Sequence, residues 1–200
     1  MSVPTNSEIL RLLDRLANES ADELESQWLD FKNWNDPKND MRVAIEYAVC
    51  LANCEGGVVV FGVADKVRGR SAAIHGASGY DLDLWRKGIF DGTRPNLRVV
   101  LEELQVPEGT GRLLVLRVPA GATPPYGTAQ GLYKQRVGKN CMPMDPQAFV
   151  RAQVTSGVLD WSGGPAKMSA KLRENDATHR QLLQTHCNKR LMTESALAKC

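Results

Sequence analysis

Seven basic side chains stand in groups that could grip a phosphate backbone. Lys134, Arg136 and Lys139 fall within six positions. Lys134 and Arg136 share a face if that segment is a strand, because strand side chains alternate. Lys66, Arg68 and Arg70 crowd a glycine-containing loop, and Lys32 closes the alternating stretch Trp28 to Lys32. Each phosphate neutralised by such a cation releases counterions, so binding would weaken as salt rises. The plainer account of any cationic cluster is a solvated face. Tyr126 and Tyr133 could stack on the bases of a single strand, although core or loop packing is the expected role of each.

Other reactive residue types point to less. Cys50 and Cys54 sit four apart, on one face of a helix, but no neighbouring His or Cys completes a metal site. With small apolar residues around them, buried packing is the expected role. The five cysteines form an odd set without a secretory signal, so reduced thiols in a cytoplasm are expected. His75 stands alone in a loop. His179 and His186 lie in a weakly patterned tail, and the adjacent pair His186 and Cys187 is poorly spaced for zinc. Ser26 and Ser162 have no evident base partner to make either a nucleophile.

Bulk composition sets the frame. Two hundred residues, 42% of them hydrophobic, suffice for one well-packed domain. A net charge of +2 and a pI near 8.3 are too mild to mark a nucleic-acid binder, so any electrostatic footprint must be local. The start, MSVPTNSEILRLLDRL, lacks the features of a signal peptide, and the longest apolar run, Val58 to Val63, is far short of a membrane span.

These residues need elements to position them. Thr5 and Glu8 have capping-box spacing, which predicts a helix over about Ser7 to Ala17 with Ile9, Leu12, Leu13 and Leu16 as its apolar stripe. Trp28 to Lys32 reads as a strand with Leu29 and Phe31 on one face and Asp30 and Lys32 on the other. Asp36-Pro37 starts a helix that ends at Gly56-Gly57. Val58 to Val63, apolar on both faces, reads as a central strand. A helix over Asp81 to Phe90 follows, then strands over Leu97 to Leu104, Arg112 to Val118 and Gly131 to Val137, and a helix from Asp145-Pro146 to about Val154. Residues 163–200 form a weakly patterned tail with some helical tendency near Arg180 to Leu183.

Two ordered pieces resemble a known family. They are Glu25-Ser-Gln-Trp-Leu-Asp30-Phe-Lys32 and Asn53-Cys-Glu-Gly56-Gly57-Val-Val-Val-Phe-Gly62-Val63-Ala-Asp65. Both look like the Schlafen AlbA-type domain, a divergent relative of archaeal chromatin proteins. Tyr133 to Gly138 is similar to that family's aromatic-x-Arg-x-Gly strand, and Asp160-Trp161-Ser162 resembles a tripeptide just beyond the domain in relatives that continue into an ATPase-like module. The resemblance spans about residues 20 to 162, and Asp30 stands where the family usually has Glu. No GKS or GKT phosphate loop is present.

The resemblance implies roles for three acids. Glu25, Asp30 and Asp65 match the catalytic carboxylates of nuclease-active relatives. Three converging carboxylates resist joint ionisation unless a cation compensates. Mg²⁺ or Mn²⁺ on hard oxygen ligands would do so and could activate water against a phosphodiester. Alternatively Lys32 neutralises Asp30, Glu25 is a solvated surface residue and Asp65 caps the turn after its strand.

The expected fold is α+β, a mixed sheet of about five or six strands flanked by helices in an AlbA/Schlafen-core-like arrangement. An N-terminal helix over 1–20, the AlbA-type domain over 21–162 and the tail over 163–200 are the expected divisions. The expected function is nucleic-acid binding, DNA or RNA, in a regulatory or defence setting, in the cytoplasm and with no cofactor for binding. The phosphate contacts would be Lys32, Lys66, Arg68, Arg70, Lys134, Arg136 and Lys139. No helix-turn-helix recognition helix stands in the sequence, so base-specific readout is not expected. The alternatives are a metal-dependent endoribonuclease using Mg²⁺ or Mn²⁺ and a self-association module. A homo-oligomer and a C-terminal ATPase-like module are the partners that remain in view.

Overall fold

The computed structural model describes residues 3–159. The tripeptide Asp160-Trp161-Ser162, the tail, His179, His186, Cys187 and Cys200 lie outside the described residues. The central strand forms as the apolar run requires. Strand β2 (Gly57–Phe61) is buried along its whole length. It pairs in parallel with β1 (Leu29–Lys32) and antiparallel with β5 (Arg112–Val118), which pairs in turn with β4 (Val100–Gln105). The resulting four-stranded mixed sheet has the order β1-β2-β5-β4.

Period-two alternation gives this sheet two buried faces. Val58 and Val60 join Leu113 and Val115 in a core closed by helix α1 (Asn6–Arg15), through Ile9 and Leu13, and by the one-turn helices α2 (Ala21–Leu24) and α4 (Arg70–Ala73). Val59, Phe61, Leu114 and Leu116 face the other way, against α3 (Pro37–Ala52) and α5 (Leu82–Gly92). Each such buried side chain contributes about 1.5–3 kcal/mol relative to exposure. The sheet is therefore a middle layer between two helical layers.

Local signals set the helix starts. Thr5 and Glu8 complete the capping box of α1. Asp36 caps α3 through the Asn39 amide at 3.2 Å with Pro37 as first helical residue, and Asp145 with Pro146 does the same for α6 (Pro146–Thr155). Gly56, past the end of α3, has φ +78°, and a Cβ there would lie 2.6 Å from the Val118 carbonyl oxygen. Only glycine lets the chain turn directly from α3 into β2 beside β5.

The fold class is as expected, but the sheet is smaller. Strand β3 (Thr93–Arg94) pairs with β6 (Gly127–Thr128), and β7 (Lys134–Val137) with β8 (Asn140–Pro143), as two separate ribbons. The expected strand over Gly131 to Val137 is thus reduced to β7, and β3, β6 and β8 are additions. Prolines at positions 119, 124 and 125 follow β5. They supply no backbone donor, so this stretch cannot continue a ladder beside the sheet.

The expectation of reduced thiols fails at one pair. Cys50 of α3 and Cys141 of β8 form a disulfide, with Cα atoms 5.9 Å apart. Ninety-one positions separate them in sequence, so no local spacing announced the bond. Cys54 is a free thiol that accepts a hydrogen bond from the Arg136 backbone N–H at 3.2 Å. Among the described residues no helix is long and apolar enough to cross a membrane.

Candidate nucleic-acid interface at the end of the parallel strands

Because β1 and β2 run in parallel, their carboxyl ends open on the same side; Lys32 and Asp65 of the two family-like segments lie toward it, whereas Glu55 stands at the opposite end, bonded by Gln27 and Trp28. Ser20 begins the short helix α2, its N–H donating to Glu23 Oε2 at 2.7 Å. The Asp22 N–H donates to the Asp65 carbonyl, which pins α2 beside the turn leaving β2. A tight turn follows, with the Ser26 N–H donating to the Leu29 carbonyl and the Trp28 N–H to Ser26 Oγ. It folds Glu25 back over β1, where Glu25 Oε1 accepts from the Phe31 N–H at 3.1 Å.

Beneath this turn lies a buried ion network. The side chains of Asp30 and Arg136 are each 1% exposed, and Arg136 Nη1 donates to Asp30 Oδ2 at 2.7 Å. Arg136 Nη2 also reaches the Ser26 and Leu29 carbonyls, at 2.8 and 3.3 Å. Asp30 Oδ1 pairs with the Lys32 ammonium, which lies 3.7 Å from Glu25 Oε1. The Tyr47 ring of α3 flanks both cations, with its centroid 5.0 Å from Lys32 Nζ and 5.9 Å from the Arg136 guanidinium carbon.

The acids respond to this setting. Burial, and then the charge of Asp30 within hydrogen-bonding reach, push the Glu25 carboxyl up to about 7. Burial works against the charge of Lys32, but the charge of Asp30 and its hydrogen bond outweigh this and hold the ammonium well above its ordinary range. The Tyr47 hydroxyl is raised by burial and by Asp30.

A two-residue turn at Gly138-Lys139 reverses the β7–β8 hairpin, with Gly138 at φ +60°. The turn carries Lys139 out to Asp22, whose Oδ1 is 2.7 Å from its Nζ. The Asp22 carboxyl is held below its ordinary range first by the Lys139 hydrogen bond, with slight burial opposing, and then by the charges of Lys139, Lys66 and Lys32. Three cations from three separate segments therefore act on one carboxylate.

The sequence-predicted residues divide as follows. Lys32, Lys66 and Lys139 come together, with Arg68 beside them on Glu23 at 3.0 Å. Arg70 points instead to Asp14 and Glu108, and Lys134 to Glu46 at 2.6 Å. Lys134 and Arg136 share a strand face as expected, but that face turns toward α3 and β1 rather than to solvent. Arg136 is buried and paired, so the expectation of a phosphate contact there is corrected to a structural role. Of the seven, only Lys66 lacks a carboxylate partner within ion-pair distance among the described residues. Tyr126 is buried in the core and Tyr133 packs edge-on against Phe149, which are packing roles.

Glu25 and Asp30 meet, whereas the Asp65 side chain is exposed at the end of β2. Glu25 is not the solvated residue of the plainer account, since its side chain is 8% exposed. In this arrangement the residues do not fit a divalent metal. The Lys32 ammonium occupies the position between the two acids, Arg136 takes the other oxygen of Asp30, and no group of three His, Cys, Asp or Glu among the described residues is placed to hold a metal ion.

Sequence reasoning missed the acids that partner the cations, Asp22, Glu23 and Glu46, and it missed Asn53. The Asn53 side chain caps nothing locally. Its Nδ2 donates to the Tyr126 and Lys134 carbonyls and its Oδ1 accepts from the Tyr126 N–H at 2.6 Å, so it ties β7 to the end of α3. Its place in the family-like segment was the available signal.

Comparison with known proteins agrees with this architecture. The chain is similar to the DIP2311 protein from Corynebacterium diphtheriae, known from a crystal structure, at 25% identity and a TM-score of 0.54. The match covers 75% of this chain but only 32% of that one. No curated protein matches. The profile of the family described as Schlafen, AlbA_2 matches residues 25–145, from the acid that folds back over β1 to the cap of α6, and the chain belongs to that family.

Proposed function

We propose that this chain is a nucleic-acid-binding domain of a regulatory or defence protein, holding its ligand through phosphates rather than base edges. The observation that carries this reading is the gathering of cations about α2: Lys139 on Asp22 at 2.7 Å, Arg68 on Glu23 at 3.0 Å, and exposed Lys66 in the turn that the Asp22 N–H holds through the Asp65 carbonyl. Membership in the Schlafen, AlbA_2 family supports it. The pairs at the rim do not forbid phosphate contact. In Lys139–Asp22 the side chains are 38% and 44% exposed, and in Arg68–Glu23 66% and 45%. Exposed pairs are worth only about 0–1 kcal/mol, so a polyanion can displace the acids at small cost. Counterion release then favours the phosphates. Lys32 and Arg136 hold the floor, and Lys66, Arg68 and Lys139 supply the contacts at the rim.

One observation favours a second reading, metal-dependent RNA cleavage: Glu25 and Asp30 do meet, and Glu25 holds its proton up to about 7. The seat of Lys32 between them weighs against it.

Native-gel retardation of short RNA and DNA duplexes tests both. Retardation at about 50 mM salt that fades steeply by about 200 mM is expected, with Lys66→Glu combined with Lys139→Glu weakening it at least tenfold. Absence of retardation at the lower salt refutes the binding reading, and a concentration-dependent oligomer in its place would point to self-association. Mn²⁺-dependent cleavage lost in Asp65→Asn would replace binding alone with the nuclease.

A further inference from the structure

A second positive surface lies along helix α3, and none of its defining cations was among the seven predicted from sequence. Between α3 and the turn after β6 runs a groove of about 520 Å³. Met41 and Ile45 of α3, both half-buried, and Leu132, 37% exposed, form its apolar lining. Lys38 and Arg42 stand at its rim, exposed. They are four residues apart in α3, which stacks them on one face about 5–6 Å apart. Neither has a carboxylate within ion-pair distance among the described residues. The one acid in the groove, Glu46, is neutralised by Lys134.

A third cation stands on the neighbouring β3–β6 ribbon, outside the groove lining. Arg94 of β3 is exposed and pairs in register with Gly127, next to the groove residue Thr128. Its guanidinium donates only to the Asp91 and Thr93 backbone carbonyls, so its charge is not cancelled. Most other arginines and lysines of the described residues face an acid; here three do not.

We propose that this groove seats one nucleotide of a single-stranded nucleic acid, with its phosphates on Lys38 and Arg42 and its sugar and base against Met41, Ile45 and Leu132. The proposal rests on the nucleic-acid reading above and names a further contact surface for it. The volume lies within the range of about 300–1,000 Å³ that holds one small ligand. Unneutralised cations on an open rim suit a continuous polyanion, whose phosphates release counterions on contact. A free nucleotide would need polar groups closing around it. Here the neutral polar side chains are only Thr128, whose hydroxyl accepts from the Leu132 N–H at 3.1 Å, and Gln130. The groove therefore commits to a strand.

Fluorescence anisotropy of a labelled single-stranded oligonucleotide, read across a salt series, tests this on the full chain. Lys38→Gln combined with Arg42→Gln is expected to weaken binding about tenfold or more and to lower the slope of log K against log salt by roughly 1.4, the value for two phosphates of a single strand. Leu132→Ser should weaken binding about threefold to tenfold with the slope unchanged, since it removes apolar contact and no charge. All three positions are at the surface, and unchanged circular-dichroism melting confirms the fold. Wild-type binding with affinity and slope unaltered by the Gln pair overturns the groove and leaves the broader reading standing. Failure of the wild type to bind any nucleic acid overturns both. A free mononucleotide that competes as strongly as the oligonucleotide overturns the assignment to a strand.

Discussion

Replacing Asp30 by Asn asks whether this carboxylate is there for the fold. Asp30 and Arg136 have side chains 1% exposed, and Lys32 contacts the second oxygen of Asp30. Asn at position 30 keeps an oxygen for Arg136 but presents an amide NH₂ to a cation and leaves a buried guanidinium without a counter-charge. Breaking a buried pair from one side costs about 3–5 kcal/mol. Because Asn retains one acceptor, about 3 kcal/mol is expected, a large share of the roughly 5–15 kcal/mol that holds a domain of this kind together. Urea unfolding followed by tryptophan fluorescence reads it directly. With a slope of about 2 kcal/mol per molar, the midpoint should fall by about 1.5 M. Arg136→Met should cost a similar amount, because it strands Asp30 with Lys32 alone. The double variant should lose at least about 1 kcal/mol less than the two single losses added together, since neither charge is then left alone. An Asp30→Asn protein within about 1 kcal/mol of wild type, or strict additivity in the double variant, would refute the ion-network account.

Two further outcomes follow from the same neighbourhood. Glu25 holds its proton up to about 7 in the fold, against 4.5 ordinarily, so the unfolded chain releases that proton first as pH rises. Stability should therefore fall between about pH 4.5 and 7, and Glu25→Gln should remove most of that decline. Parallel urea curves for the two proteins across that range would contradict it. Cys50 and Cys141 close a loop spanning 91 positions, so under oxidising conditions Cys141→Ser should lower stability by about 2–4 kcal/mol. In excess reductant the variant and wild type should unfold at the same midpoint.

Several elements were legible in the residues alone, because their causes are local. Thr5 with Glu8, Asp36 with Pro37 and Asp145 with Pro146 each satisfy helix-end groups within four positions, and those helices start where expected. Val58 to Phe61 is apolar on both faces, and only a strand covered on both sides buries it. Order along the chain was enough to reveal the family, since two glycines, an apolar strand and the acid-Phe-Lys ending are sequence-adjacent features.

The site was legible only in part, and for a physical reason. Alternation showed that Lys134 and Arg136 share a face, but it says nothing about which way the face looks. That was decided by acids far away in sequence. Asp30 lies 106 positions from Arg136, Asp22 lies 117 from Lys139, and Glu46 lies 88 from Lys134. Residue type and spacing alone determined where charge is carried in this protein. Tertiary structure alone decided whether each charge is buried and cancelled, as at Arg136, or left facing water, as at Lys38 and Arg42, because Coulomb attraction and desolvation act through space and take no account of sequence separation.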